Sequence, residues 1–249
     1  MHRFYLPPTE CQGPEILLSP RESHHAAQVL RLRAKDEAIV LDGAGRQLKC
    51  VVRGVSKKEV ILSVLEENKT PRPACSMTLV QGLPKGKTMD GIVQKATELG
   101  VARIVPLLSE RAVPHLEGER LEEKQTKWQQ TAIEAIKQCG QPWLPEVTLP
   151  QTLPVALETT AQSELQLVGS LQAGSRHPRD CFNQFRSHHH RKPQDICLWV
   201  GPEGDFSTPE LEQLHAANVL PIAFGPLVLR SDTAALYGLS VLNYELQSH

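Results

Sequence analysis

Two stretches near the end of the chain hold residue types that could do chemistry. WVGPEGDFSTPE, residues 199–210, leaves an apolar strand-like run, passes through Gly201-Pro202-Glu203-Gly204-Asp205 and enters a helix at Ser207-Thr208-Pro209-Glu210. That last tetrad is a capping box, in which the serine and glutamate sites satisfy orphan backbone N–H groups reciprocally. FGPLVLRSDTAAL, residues 224–236, repeats the order strand, glycine, loop, helix and sets Arg230 and Asp232 beside small and aliphatic residues. Glycines permit close backbone approach to a ligand, and a helix start offers free N–H groups. Each loop alone is equally a tight βα turn. Together, at neighbouring strand ends of a parallel sheet, they point to a pocket.

A third stretch, GLPKGKTMD at 82–90, imitates a phosphate-binding loop. Only three residues separate Gly82 from Gly86, where that motif needs four, and Pro84 has no N–H to give a phosphate. Nucleotide hydrolysis is therefore disfavoured.

The elements that must position these loops fall into two patterns. EILLS, EAIVLDGAG, QLKCVVRGV and EVILSVLEE are short β-rich runs with turn signals between them, and SPRESHHAAQVLRL is a short helical pattern. Several strands within some 65 residues predict a small barrel over 1–70. ENKTPRPACS, 67–76, reads as the boundary. From 74 to 249 strands and helices alternate: SMTLVQGL, then a helix over DGIVQKATELG capped by Asp90, then VARIVPLL, then a helix from about Leu121 to Cys139. ELQLVGSL, DICLWVG and LPIAFG supply further strands, and TAALYGLSVLNYEL a final helix. Such alternation means an α/β fold with a parallel sheet covered on both faces. Residues 175–194, SRHPRDCFNQFRSHHHRKPQ, read as an irregular surface loop.

Bulk properties narrow the function class. No apolar run approaches a membrane span, and MHRFYLPPTE lacks the apolar segment of a signal peptide. Six cysteines without a CxxC pair read as reduced thiols of a cytoplasmic protein, with neither a disulfide scaffold nor a zinc site. His188-His189-His190 has no acid or cysteine at ligand spacing, so no metal is expected. Residues 1–140 hold 21 Lys/Arg against 17 Asp/Glu, whereas 141–249 hold 6 against 11, so a polyanion would meet the first part.

GPEGDFSTPE, LGVARIVPLLSERAV, KW with EAIKQCG, and FGPLVLRSDTAAL resemble the RsmE-type ribosomal RNA methyltransferases of the SPOUT class. HRFYL and HHAAQVLRLRAKDEAIVLDGAG resemble that family's PUA-like barrel, and the likeness breaks only around 172–194. The resemblance implies S-adenosylmethionine-dependent methylation of N3 of a uridine in small-subunit (16S-type) ribosomal RNA, free or in an assembled 30S-type particle, by a homodimer. It implies a trefoil knot in the C-terminal domain, which composition cannot reveal. Cofactor-binding residues implied by it are Gly169, Gly201, Pro202, Glu203, Gly204, Phe224, Gly225, Leu227, Val228, Leu229, Arg230 and Thr233. RNA-binding candidates are Arg3, Arg31, Arg33, Lys85 and Lys87, with surface solubility the alternative for each.

For the implied reaction, uridine N3 must lose its proton during attack, and its base must be unpaired or flipped out. Arg230 and Arg111 are candidates for stabilising charge on the uracil oxygens, and Glu203 or Asp232 for accepting the proton. Helix capping is the alternative for Asp232. Four departures from the family pattern involve five positions. Asp205 replaces a glycine, Ser231-Asp232 replaces Thr-Glu, and Leu227 and Gln141 each replace an arginine, removing positive charge from the expected RNA side. A catalytically silent RNA-binding protein with the same fold is the alternative.

Overall fold

The computed structural model describes residues 1–56, 59–112, 118–172 and 174–247. The chain forms two compact units, 1–72 with 133–144, and 73–132 with 145–249.

The first unit is built on strands β1 (His2–Tyr5), β2 (Glu15–Leu17), β3 (Glu37–Leu41), β4 (Arg46–Val55) and β5 (Val60–Lys69). They form a sheet in the order β1-β3-β4-β5-β2, parallel at β1–β3 and antiparallel elsewhere. Alternation drives β4: Leu48, Cys50 and Val52 turn inward while Lys49 and Arg53 do not. Register shifts at Lys49/Cys50 and Val52/Gly54 bend the β4–β5 ladder. The core gathers Phe4, Ile16, Val40, Leu48 and Leu62. Helix α1 (Pro20–His24) starts where Ser19 accepts the Glu22 N–H at 3.3 Å, and it continues as a π-helical turn over His25–Val29. Strand β1 is too short to show alternation, with Phe4 its one buried residue. The division at 72/73 falls within ENKTPRPACS, whose first residues still belong to β5, which runs on through Lys69 by pairing with β4.

The second unit carries β6 (Ser76–Gly82), β7 (Arg103–Leu108), β8 (Glu146–Val147), β9 (Gln151–Thr152), β10 (Leu165–Gly169), β11 (Asp195–Val200) and β12 (Leu220–Ile222). The order is β12-β10-β11-β6-β7-β8, with β9 also on β7, and every pairing is parallel. Central strands β6 and β11 are buried along nearly their whole length, which is why they read as continuous apolar runs. Helices α2 (Thr88–Glu98), α3 (Glu119–Cys139), α4 (Leu153–Thr160), α5 (Pro178–His189), α6 (Thr208–Ala216) and α7 (Ser231–Gln247) complete it, the end of α3 belonging to the first unit. Helix α7 packs against α2, α5 and β11.

Two local expectations are corrected. Asp90 does not cap α2: Lys87 holds that position, and Asp90 instead accepts hydrogen bonds from Trp128 Nε1 at 3.0 Å and from Lys127 Nζ. Most of 175–194 is helix, not irregular loop. His177 accepts the Arg179 N–H at 3.2 Å, Pro178 opens α5, and His190 ends it with a left-handed φ of 55°. Cys181, Phe182 and Phe185 form a narrow buried stripe at helical spacing that the surrounding basic residues hide. Among the described residues no helix is long and apolar enough to cross a membrane. All six thiols are free, and burial pushes Cys11 and Cys50 up to about 11.

The connection from α5 into β11 is fixed by Glu164, which accepts two bonds from Arg191 at 2.8 and 2.5 Å and one from the Gln194 N–H at 2.7 Å. The Arg191 bonds, then the backbone bond, hold the Glu164 carboxyl down at about 2. A depressed carboxyl stabilises the fold above its ordinary value near 4.5 and ceases to as pH falls towards 2. Arg191→Gln should raise the Glu164 midpoint in an NMR titration and move acid unfolding to higher pH. The stability difference between variant and parent should shrink as pH falls through about 2.

Candidate active site

The carboxyl ends of β10, β11 and β12, neighbours in the sheet, surround a cavity of about 480 Å³. Its walls are 169–172 after β10, 200–203 with Asp205 after β11, and 223–231 with Ala234 after β12. This volume lies in the range of small-molecule sites, and the position is where parallel sheets bind ligands.

The β11 loop is held in shape by its own atoms. The Asp205 N–H donates to the Pro202 carbonyl at 3.0 Å, and Asp205 adopts a left-handed φ of 58°. Its Oδ1 accepts the Phe206 N–H at 2.8 Å, so the departure from glycine keeps the turn and adds a carboxylate to the cavity wall. Ser207 and Glu210 then form the expected capping box, and Glu210 Oε1 also accepts the Glu110 N–H at 2.9 Å. The β12 loop is tied to the β11 loop: Ser231 Oγ donates to the Gly201 carbonyl at 2.6 Å. Close approaches set the rest. A Cβ on Gly169 would lie 2.8 Å from the Phe224 ring, and one on Gly82 would lie 2.6 Å from the backbone nitrogen of Pro202.

The candidate residues separate into those on the cavity and those beside it. Gly169, Gly201, Pro202, Glu203, Phe224, Gly225, Leu227, Val228, Leu229 and Arg230 line it; Gly204 and Thr233 do not. Leu227 and Val228 are 74% and 76% exposed, so the apolar wall they form is an open rim. Arg230 is exposed on that rim, and its guanidinium has no partner among the described residues. Arg111 is committed elsewhere, its Nη1 donating to the carbonyls of Gly204 at 2.9 Å and Phe206 at 3.5 Å. Asp232 Oδ1 accepts the Thr233 N–H at 2.8 Å, the capping behaviour of a first-turn acid. Glu203 lines the cavity while its Oε1 accepts the Lys85 N–H at 3.0 Å.

That bond brings the GLPKGK turn to the cavity's edge, with the side chains of Lys85 and Lys87 exposed. In the first unit, Arg31 and Arg33 are exposed, whereas Arg3 donates to the carbonyls of Lys137 at 3.3 Å and Gln138 at 3.1 Å and so caps the end of α3. His189 stacks on Phe185 at 4.2 Å, and no metal-holding cluster exists among the described residues. Sequence reasoning missed Ser170, Leu171 and Gln172, which follow β10 without a glycine motif, and the buried Gln81 that donates to Ser231 Oγ at 2.8 Å. A long polar side chain directly after Leu79-Val80, in a strand buried on both faces, is the signal that could have found the latter.

The RNA methyltransferase domain family matches residues 70–243 and the RNA methyltransferase PUA domain family residues 18–65. The chain belongs to this methyltransferase family. It is 28% identical to ribosomal RNA small subunit methyltransferase E of Bacillus subtilis, over 99% of this chain and 98% of that one. A methyltransferase structure from Legionella pneumophila, in complex with the cofactor SAM, matches at TM-score 0.87 and 32% identity, covering 98% of this chain and 97% of its own. Ribosomal RNA small subunit methyltransferase E from Neisseria gonorrhoeae, bound to S-adenosyl methionine, matches at TM-score 0.87 and 28% identity, covering 98% of both chains. The N-terminal domain is PUA-like, and the parallel-sheet domain is that of the RNA methyltransferases.

The Gly82 contact yields a test internal to the protein. Gly82→Ala should destabilise by about 1–3 kcal/mol, because backbone must move to admit the Cβ. Gly91→Ala, in helix α2 with nothing within 4 Å of the added carbon, should be neutral or stabilise by up to about 1 kcal/mol. Denaturant unfolding of the two variants measures both.

Proposed function

We propose that this protein transfers the methyl group of S-adenosylmethionine to N3 of a uridine in small-subunit ribosomal RNA. The observation that carries the reading is the cavity formed by two mutually bonded strand-end loops, in a chain that shares its full-length architecture with SAM-bound methyltransferases. The residues present suit such a ligand. Gly201, Gly225 and the backbone of 226–229 offer close approach, Phe224 and Leu229 an apolar wall, and the volume suffices. When bound, the sulfonium supplies an activated methyl, and no metal is needed.

The chain's own groups then orient the base and manage one proton. Arg230, free at the rim, donates to a uracil oxygen as negative charge grows there. Glu203 takes the N3 proton, directly or through water, in preference to Asp232, whose Oδ1 is held within its own helix turn. Arg111 acts through the β11 loop, fixing the carbonyls of Gly204 and Phe206. Lys85 and Lys87 at the cavity's edge and Arg31 and Arg33 on the first unit contact RNA phosphates, which position without reading sequence. The arrangement of domains follows as an RNA-binding barrel over 1–70 and a catalytic domain over 74–249, whose C-terminal path is a trefoil knot. A homodimer is supported by exposed Leu227, Val228, Tyr237 and Tyr244, apolar surface on one loop and its following helix. Small-subunit ribosomal RNA, free or in an assembled particle, as substrate and a cytoplasmic location complete the reading.

Methyl transfer to small-subunit particles lacking the modification, followed by mapping of the product base, tests it. Label should appear at uridine N3; label only at a carbon or a ribose oxygen would refute the assignment. Arg230→Ala should lower kcat by about 10²–10³, the cost of removing one donor to a developing oxyanion. Glu203→Gln should cost more than Asp232→Asn, and the reverse order would exchange their roles.

A further inference from the structure

The side chain of Gln81 sits at the carboxyl end of β6, wholly buried, where neighbouring positions are apolar. Its amide has no freedom of assignment. Nε2 donates to the Gly82 carbonyl at 2.9 Å and to Ser231 Oγ at 2.8 Å, and Ser231 Oγ in turn donates to the Gly201 carbonyl at 2.6 Å. Because a carbonyl can only accept, the serine hydrogen points to Gly201, and the serine oxygen must receive an N–H from Gln81. Both amide hydrogens are therefore used. Oε1 is left buried with no partner among the described residues.

An orphaned buried acceptor is costly, and a methionine or leucine would fill the same volume without it. The arrangement is thus a poor way to gain stability and a good way to fix direction. Ser231 opens α7 and closes the β12 loop; Gly201 opens the β11 loop; Gln81 belongs to the adjoining strand, paired in register with Val200. One hydrogen-bonded chain runs from β6 through the start of α7 to the turn after β11, joining both cavity walls to the rigid centre of the sheet.

We propose that Gln81 and Ser231 form a buried clamp that sets the separation of the two cavity loops and thereby pre-organises the methyl-donor site. Neither need touch the reacting atoms; both are positioning residues. The clamp deepens the methyltransferase reading and rests on it for the identity of the ligand, while its mechanical part stands on the apo protein alone.

The test uses the full-length chain with Ser231→Ala, Ser231→Thr and Gln81→Met, in two measurements. Amide hydrogen exchange without ligand reads the mechanical part. Ser231→Ala and Gln81→Met should speed exchange at least about 10-fold at the hydrogen-bonded loop and helix-start amides of Asp205, Phe206 and Ala234 while leaving the protection of β10 and β11 unchanged. Calorimetry with S-adenosylmethionine reads the functional part. The same two variants should raise Kd about 10-fold or more, and Ser231→Thr, which keeps the hydroxyl, should stay within about threefold of the parent. Unaltered loop exchange, or a threonine variant no better than alanine, overturns the clamp. Loss of protection throughout the sheet does so too, since it would show general stability to be what the pair supplies. Failure of the parent to bind S-adenosylmethionine would overturn the methyltransferase reading, and the exchange data would still decide the clamp.

Discussion

A single short hydrogen bond, from the Ser231 hydroxyl to the Gly201 carbonyl, joins two loops that are 30 residues apart in the chain. What makes it possible is the strand order. With β12, β10 and β11 side by side and parallel, their carboxyl ends open on the same edge, so the following loops must either interlock or leave a gap. Here they do both. The bond closes the floor, and the remaining space is the cavity. The same constraint explains the small residues nearby. Gly82 and Gly169 stand where a side chain would strike Pro202 or Phe224, so the strand ends approach the loops at backbone distance.

Charge at the site is divided by what each group is already doing. Arg111 gives Nη1 to the carbonyls of the β11 loop and Asp232 keeps Oδ1 within its own helix turn, and both act as supports. Arg230 and Glu203 face the cavity, the first without a partner among the described residues and the second holding the GLPKGK turn through one oxygen. Lysines that imitate a nucleotide-binding loop in sequence are thereby presented at the edge of a different pocket. Proline and short spacing disfavour a phosphate cradle there.

Much of this was legible in the sequence because local physics and global fold agree there. The apolar runs of β6, β10 and β11, the capping box at Ser207 and Glu210, and both glycine loops are local signals with local causes. What could not be read is what depends on distant partners. Helix α5 hides behind basic composition because only Pro178, Cys181, Phe182 and Phe185 are buried. Asp90 looked like a cap until Trp128, far along the chain, took its carboxylate. Arg3 has the character of a surface cation and caps a helix end more than 130 residues away. Asp205 ran the other way: a left-handed conformation was foreseeable for an aspartate, and its φ of 58° has that sign.

The most direct test of the central claim is to follow backbone amide resonances while S-adenosylmethionine is added to the protein. Saturable shifts should appear together at 201–205 and 225–230, with one ligand per chain, and should be small in the 1–70 region. Shifts confined to either loop alone, or largest away from the carboxyl ends of β10, β11 and β12, would contradict a donor site built jointly by the two loops.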